Sequence, residues 1–160
     1  MLIGCLLITH MPVKLEIWQR PELSSEDVIV FSDNGDGKKI VLDCSIGLRG
    51  VRHGMSLNTV LSRFPYALLL ESNVKKYTIV FERIVSKLLQ ITPKVECAQL
   101  GQVYFQANNA DGVLNPDKSA MISRILDVIP SFLRPRIGLA VDKFTAYAAA
   151  FMGESGRFVN

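Results

Sequence analysis

The stretch Val95-Glu96-Cys97-Ala98-Gln99-Leu100-Gly101-Gln102-Val103-Tyr104-Phe105-Gln106 decides how this chain is read. Residues 94–99 and 102–106 read as two short strands, and Gly101 supplies the positive φ that a tight hairpin turn needs. A strand-like segment lies ahead of it near the N-terminus, and a helix–strand–helix succession follows, an enzyme-like layout. The hairpin tip nevertheless carries amides and glycine. No carboxylate is among them.

Toward the N-terminus, residues 3–9 are apolar on both faces, as a central strand requires. Pro12 suits a first helical position, and a short helix is expected over 12–18 with Glu16 on its surface. Residues 28–31 and 38–42 form an expected hairpin around Asp33-Asn34-Gly35-Asp36-Gly37. That loop is oxygen-rich but lacks the spaced ligands and terminal glutamate of a calcium loop, so it reads as a turn. A short helix over 45–49 should end at Gly50, and Ser56 should cap a second, Leu57–Arg63, ahead of Pro65. After an extended segment at 67–71, residues 72–90 carry Val74, Tyr77, Phe81, Ile84, Val85, Leu88 and Leu89 at three- and four-residue steps, a core-facing helical stripe.

Beyond the central hairpin come a polar loop at 108–112 and a helix start at Asn115-Pro116, an N-cap followed by proline. That helix, over 117–129, turns Met121, Ile122, Ile125, Leu126 and Ile129 inward. A strand at 136–141 and a helix at Lys143–Met152 complete the order, the latter with Phe144, Tyr147, Ala148 and Phe151 on one face. Residues 153–160 read as a flexible tail.

Composition fits this sketch. The 160 residues are 49% apolar, enough for one domain with a sizeable core and a small inserted lobe. A net charge of +3 permits a polyanionic partner but is far from a polybasic nucleic-acid binder. Cys5, Cys44 and Cys97 are scattered and lack metal spacing, which reads as buried free thiols in a reducing compartment. The apolar run at 2–8 is too short to span a membrane and has no signal-peptide flanks, so a cytoplasmic location is expected.

Three stretches together resemble the Y-family (UmuC/DinB type) translesion DNA polymerases. The central hairpin follows the frame Val-Glu, two residues, Ser-hydrophobic-Asp-Glu-Ala-aromatic-Leu-Asp, through Val95, Glu96, Leu100, Val103, Tyr104 and Phe105. Gly50-Val51-Arg52-His53-Gly54-Met55-Ser56 is similar to the fingers motif Gly-Val-(Arg/Lys)-x-Gly-Met-x. Gly138-Leu139-Ala140-Val141-Asp142-Lys143-Phe144-Thr145-Ala146 is similar to Gly-Ile-(Ala/Ser)-x-Asn-Lys-x-x-Ala. The order and spacing of the three cover most of the chain.

The resemblance implies an α+β fold: a ferredoxin-like palm sheet with helices on one face, from 1–18 and 73–152, and a small fingers-like insertion at 19–72. It also implies where chemistry should sit. The catalytic Asp-Glu pair falls on Gly101 and Gln102, the later Asp on Gln106, and the Asp-x-Asp ending the first strand on Leu7 and Thr9. Met11 and Pro12 take the aromatic positions of the ribonucleotide gate. The triphosphate-gripping Tyr and Arg fall on Cys44 and Gly47, and a second Lys on Tyr147. Hard divalent cations need anionic oxygen ligands, so a site of this composition is expected to hold no metal or cofactor.

Two functions from different classes follow. The first is a non-catalytic homologue, similar to the ImuB-like accessory proteins, that meets protein partners of a replication or repair complex. Weak DNA-backbone or partner contact would run through Arg49, Arg52, His53, Lys75, Lys76, Arg134, Arg136 and Lys143. The second is an enzyme or small-ligand-binding domain that reuses the emptied cleft. The remaining acids, Glu16, Asp43, Glu96 and Asp142, make no catalytic spacing. Cys5 with His10 does not make a zinc site, and Cys44 or Cys97 with His10 or His53 has no nucleophile-and-base spacing. Oligomeric state is not legible.

Overall fold

The computed structural model describes residues 1–107, 118–156 and 158–159. In chain order the elements are β1 (Ile3–Leu7), α1 (Met11–Gln19), β2 (Val28–Asp33), β3 (Lys39–Cys44), α2 (Leu57–Arg63), β4 (Leu68–Glu71), α3 (Val74–Leu89), β5 (Val95–Gln99), β6 (Gln102–Gln106), α4 (Lys118–Asp127), β7 (Arg136–Ala140), α5 (Lys143–Met152) and β8 (Phe158–Val159). The fold is mixed α+β, as the sequence indicates. Two compact units are formed, Met1–Thr9 with Thr78–Asn160, and His10–Tyr77.

The first unit is built on a five-stranded sheet in the order β5-β6-β1-β7-β8. Its central strand is the apolar β1, antiparallel to both β6 and β7, so Leu7 faces Gln102 on one side and Arg136 on the other. Cys5, Leu6 and Leu7 are buried in succession, because both faces of β1 are covered. One face packs Cys5 and Leu7 against Ala146 and Ala150 of α5. Gly138 makes that approach feasible: a Cβ there would run into Ala146 O and Ala150 N. With the backbone of α5 so close to β7, only its alanine side fits against the sheet. The aromatic side is left outward, with Phe144 79% and Phe151 56% exposed. On the opposite face Leu6, Val103, Phe105, Ile137 and Leu139 are buried. Phe158–Val159, within the stretch read as a tail, pairs parallel to β7.

In the second unit β2 lies between β3, antiparallel, and β4, parallel. Ile29, Val41, Cys44, Leu48, Leu57 and Val60 form its core. The helix expected over 45–49 is absent. Single turns stand there instead, with Leu48 N–H donating to Ser45 O and Arg49 N–H to Gly47 O. Ser45 is pinned to β2 by two bonds, its N–H to Val28 O and its Oγ accepting from Val28 N–H, which holds the segment extended through Cys44. Glu16, expected on the helix surface, is 3% exposed. Along α3 the buried stripe is Tyr77, Phe81, Ile84 and Leu88, while Val74 and Leu89 at its ends are half exposed. The loop at 108–112 and the Asn115-Pro116 helix start lie outside the described residues. Among the described residues, no helix is long and apolar enough to cross a membrane.

Candidate functional site

In the first unit, pairing of β1 with β6 brings Leu7, Gly101 and Gln102 together. Leu7 stands opposite Gln102, and Ile8 N–H donates to Gly101 O at 2.7 Å. Leu7 is 6% exposed within an apolar cluster that includes Cys5, Ala146 and Ala150, with Tyr104 and Tyr147 packed on it. Gly101 has φ +81°, and a Cβ there would run into Ile8 O, so the turn leaves no space for a side chain. Both polar atoms of the Gln102 amide are engaged: Gln99 Nε2 donates to Gln102 Oε1 at 2.9 Å, and Gln102 Nε2 donates to Tyr104 Oη at 2.9 Å. Chemically Leu7, Gly101, Gln102 and Tyr104 offer amide and phenol hydrogen bonds and no anionic oxygen of their own. Burial pushes the Cys5 thiol up to about 12, which keeps it protonated. Thr9 follows half-buried in the turn after β1. Tyr147 stacks on Phe151, ring centroids 6.1 Å apart.

In the second unit the Asp43 carboxylate is a junction. Oδ1 accepts from His10 Nδ1 at 2.7 Å and from Cys44 N–H at 2.9 Å; Oδ2 accepts from Val13 N–H at 3.1 Å. A negative oxygen thus sits on the first turn of α1, where unpaired N–H groups and the helix dipole favour an anion. His10 precedes that helix with φ 51°, a left-handed conformation costly for a residue with a Cβ. The hydrogen bond to Asp43 raises its pKa against the opposing effect of burial. Cys44, beside Asp43, is buried, and its thiol is pushed up to about 11 by burial and then by the Asp43 charge. Gly47 sits in the following turns, where a Cβ would lie 2.9 Å from Asp27 Oδ1. Cys44 and Gly47 are therefore on a strand end and a turn, not on successive turns of one helix. Asp43 and His10 are 33 positions apart, and no spacing in the sequence joins them.

The basic candidates divide between the units. Arg49, Arg52, His53, Lys75 and Lys76 belong to the second, Arg134, Arg136 and Lys143 to the first. Several are already engaged. Lys76 Nζ donates to Glu16 Oε1 at 2.8 Å, and Lys143 Nζ to both Glu96 oxygens at 2.7 Å. Arg136 Nη1 donates to Phe151 O, and His53 Nδ1 to Leu42 O. Arg49, Arg52, Lys75 and Arg134 are exposed. Glu16 also accepts from Arg20 at 2.7 Å and from Tyr77 Oη at 2.6 Å. Burial pushes its carboxyl up, but the bonds from Lys76, Tyr77 and Arg20 outweigh that and hold it below the ordinary carboxyl range. Among the described residues no group of three or more His, Cys, Asp or Glu side chains is placed to hold a metal ion.

Comparison with known proteins places this geometry. The sequence model of the impB/mucB/samB family matches residues 8–150. DinB from Sulfolobus solfataricus is similar in structure, with a TM-score of 0.80 at 18% identity over 99% of this chain and 47% of that one. A post-insertion binary complex of Dbh DNA polymerase gives the same values. An insertion ternary complex of Dbh DNA polymerase gives 0.77 at 18% identity, over 99% and 48%. Likeness at that identity shows the fold. The chain spans about half the length of the solved structures it matches.

Proposed function

The chain belongs to the impB/mucB/samB family of Y-family DNA polymerases, and from that premise we propose that it is a non-catalytic member acting in DNA repair or translesion synthesis. Its work is protein–protein contact, as an accessory or adaptor similar to the ImuB and UmuC type, with weak DNA-backbone contact through its exposed arginines and lysines. One observation supports the reading: Leu7, Gly101 and Gln102, the residues onto which the resemblance puts the family's metal-binding carboxylates, lie together. Two magnesium ions a few ångströms apart need several anionic oxygens. A buried leucine, a glycine without room for a side chain and a neutral amide do not fit that group. Support also comes from Asp43, whose carboxylate lies beside Cys44, at the position expected to grip a triphosphate. A carboxylate and a thiol supply no positive charge to hold a triphosphate.

Reuse of the site by another chemistry has no comparable support, because Leu7 and Gln102 are both nearly buried. Calorimetric titration with Mg²⁺ and deoxynucleoside triphosphate tests the proposal, and no metal-dependent heat is expected. Primer extension that EDTA abolishes would overturn it.

A further inference from the structure

We infer that the free edge of β5, with the cavity beside it, is a docking site for an extended peptide segment of a partner protein bearing one large aromatic side chain and an acidic residue. This deepens the adaptor reading by naming the surface through which a partner is held. As the first strand of the sheet order, β5 pairs only with β6 among the described residues. Lys94 O accepts from Gln106 N–H at 3.1 Å. Antiparallel strands alternate the direction of their backbone groups, so the N–H and C=O of Val95 and Cys97 point away from the sheet. Glu96, Cys97, Ala98 and Gln99 are exposed. The strand irregularity between Cys97 and Gln99 limits the usable edge to that short run.

What separates this edge from an ordinary one is the cavity of about 420 Å³ alongside it, walled by Leu89, Pro93, Val95 and Tyr104. That volume is in the range of small-ligand sites, roughly 300–1,000 Å³, and suits an aromatic side chain. An aromatic ring there would bury apolar surface against Leu89, Pro93 and Val95. Charge selects the rest of the segment. Glu96 is occupied by Lys143, whereas Lys94, also at the cavity, is exposed and has no acidic partner among the described residues. One uncompensated positive charge favours an acidic residue beside the aromatic one. Strand addition then supplies backbone bonds, and the cavity supplies selectivity.

The test uses a fluorescein-labelled octapeptide of alternating valine and threonine with a central tryptophan and a C-terminal aspartate, followed by anisotropy on the 160-residue chain. Saturable binding is expected. The same peptide N-methylated at alternate residues should bind at least about tenfold more weakly, since the methyl groups remove the N–H donors that join an added strand to β5. Cys97→Pro should weaken binding equally, because proline is tolerated on an edge whose N–H faces solvent. If that variant fails to fold, the N-methylated peptide makes the same test on the unaltered protein. Lys94→Glu should weaken binding several-fold. Equal affinity for the two peptides, or no binding of the unmodified one, overturns the docking site. A parallel Mg²⁺–nucleotide titration keeps the two proposals apart, since nucleotide binding overturns the adaptor reading and leaves the peptide result standing.

Discussion

Gly101 lies against Ile8 so closely that any side chain at position 101 would strike Ile8 O, while Ile8 N–H donates to Gly101 O at 2.7 Å. The turn that should present a catalytic acid is packed as backbone on backbone. Gly101→Asp should therefore lose about 2–5 kcal/mol: the positive φ costs ~1–2 kcal/mol and overpacking ~1–3 kcal/mol. Urea titration measures it. A loss below about 1 kcal/mol would show that the turn moves aside and that an acid can be restored.

Gly138 meets the same kind of limit against α5. A methyl there would contact Ala146 O and Ala150 N, which are backbone atoms and cannot rotate away. Gly138→Ala is expected to destabilise by about 3 kcal/mol or more, although alanine normally improves on glycine in a strand. A neutral result would mean that α5 lifts from β7 at no cost.

Glu16 is held by three side chains in a nearly buried position. Removing one partner of such a group typically costs about 3–5 kcal/mol, so Glu16→Ala should unfold the second unit at markedly lower urea. The exposed Glu96–Lys143 pair is a contrast: Lys143→Ala should cost under about 1 kcal/mol. Because the folded pKa of Glu16 is depressed, its contribution is full above the unfolded carboxyl pKa of about 4.3 and is lost as pH falls through the lower folded value. Glu16→Gln should flatten that acid limb in a plot of urea midpoint against pH.

His10 behaves in the opposite sense. Its folded pKa is raised by Asp43, so its stabilisation is full below the unfolded value of about 6.5 and disappears as pH rises through the higher folded value. Stability should fall across that alkaline window, and both His10→Gln and Asp43→Asn should remove the fall. Asp43→Ala should cost a further ~1 kcal/mol because Val13 N–H loses its acceptor. A wild-type profile that is flat from pH 6 to 9 would contradict the pairing.

Of the three cysteines, only Cys97 is exposed; Cys5 and Cys44 are buried with thiols pushed up by that burial. Labelling with a thiol reagent at pH 8 should modify one cysteine per native chain and three in urea. Rapid native modification of Cys5 would show that β1 is not the covered central strand.

The sequence by itself determined most of the elements and their order, though not the turns at 45–49 or the strand β8. Apolar runs without alternation made β1 central, the Gly101 turn set the hairpin, and Ser56 ahead of Leu57 marked the start of α2. These signals are local, acting through periodicity, capping and turn chemistry. The resemblance read from it also implies leucine, glycine and glutamine at the family's carboxylate positions.

Tertiary structure alone decided what those residues do. The helix over 45–49 failed because a distant strand holds Ser45 extended. Glu16 went inside because Lys76, some sixty positions away, neutralises it and Tyr77 donates a hydrogen bond to it. The aromatic face of α5 turned outward because glycine on β7 draws its alanine face in. His10 met Asp43 across 33 residues. Each outcome depends on a contact between segments far apart in the chain, and no local pattern records which distant partner will compensate a buried charge or crowd a helix face.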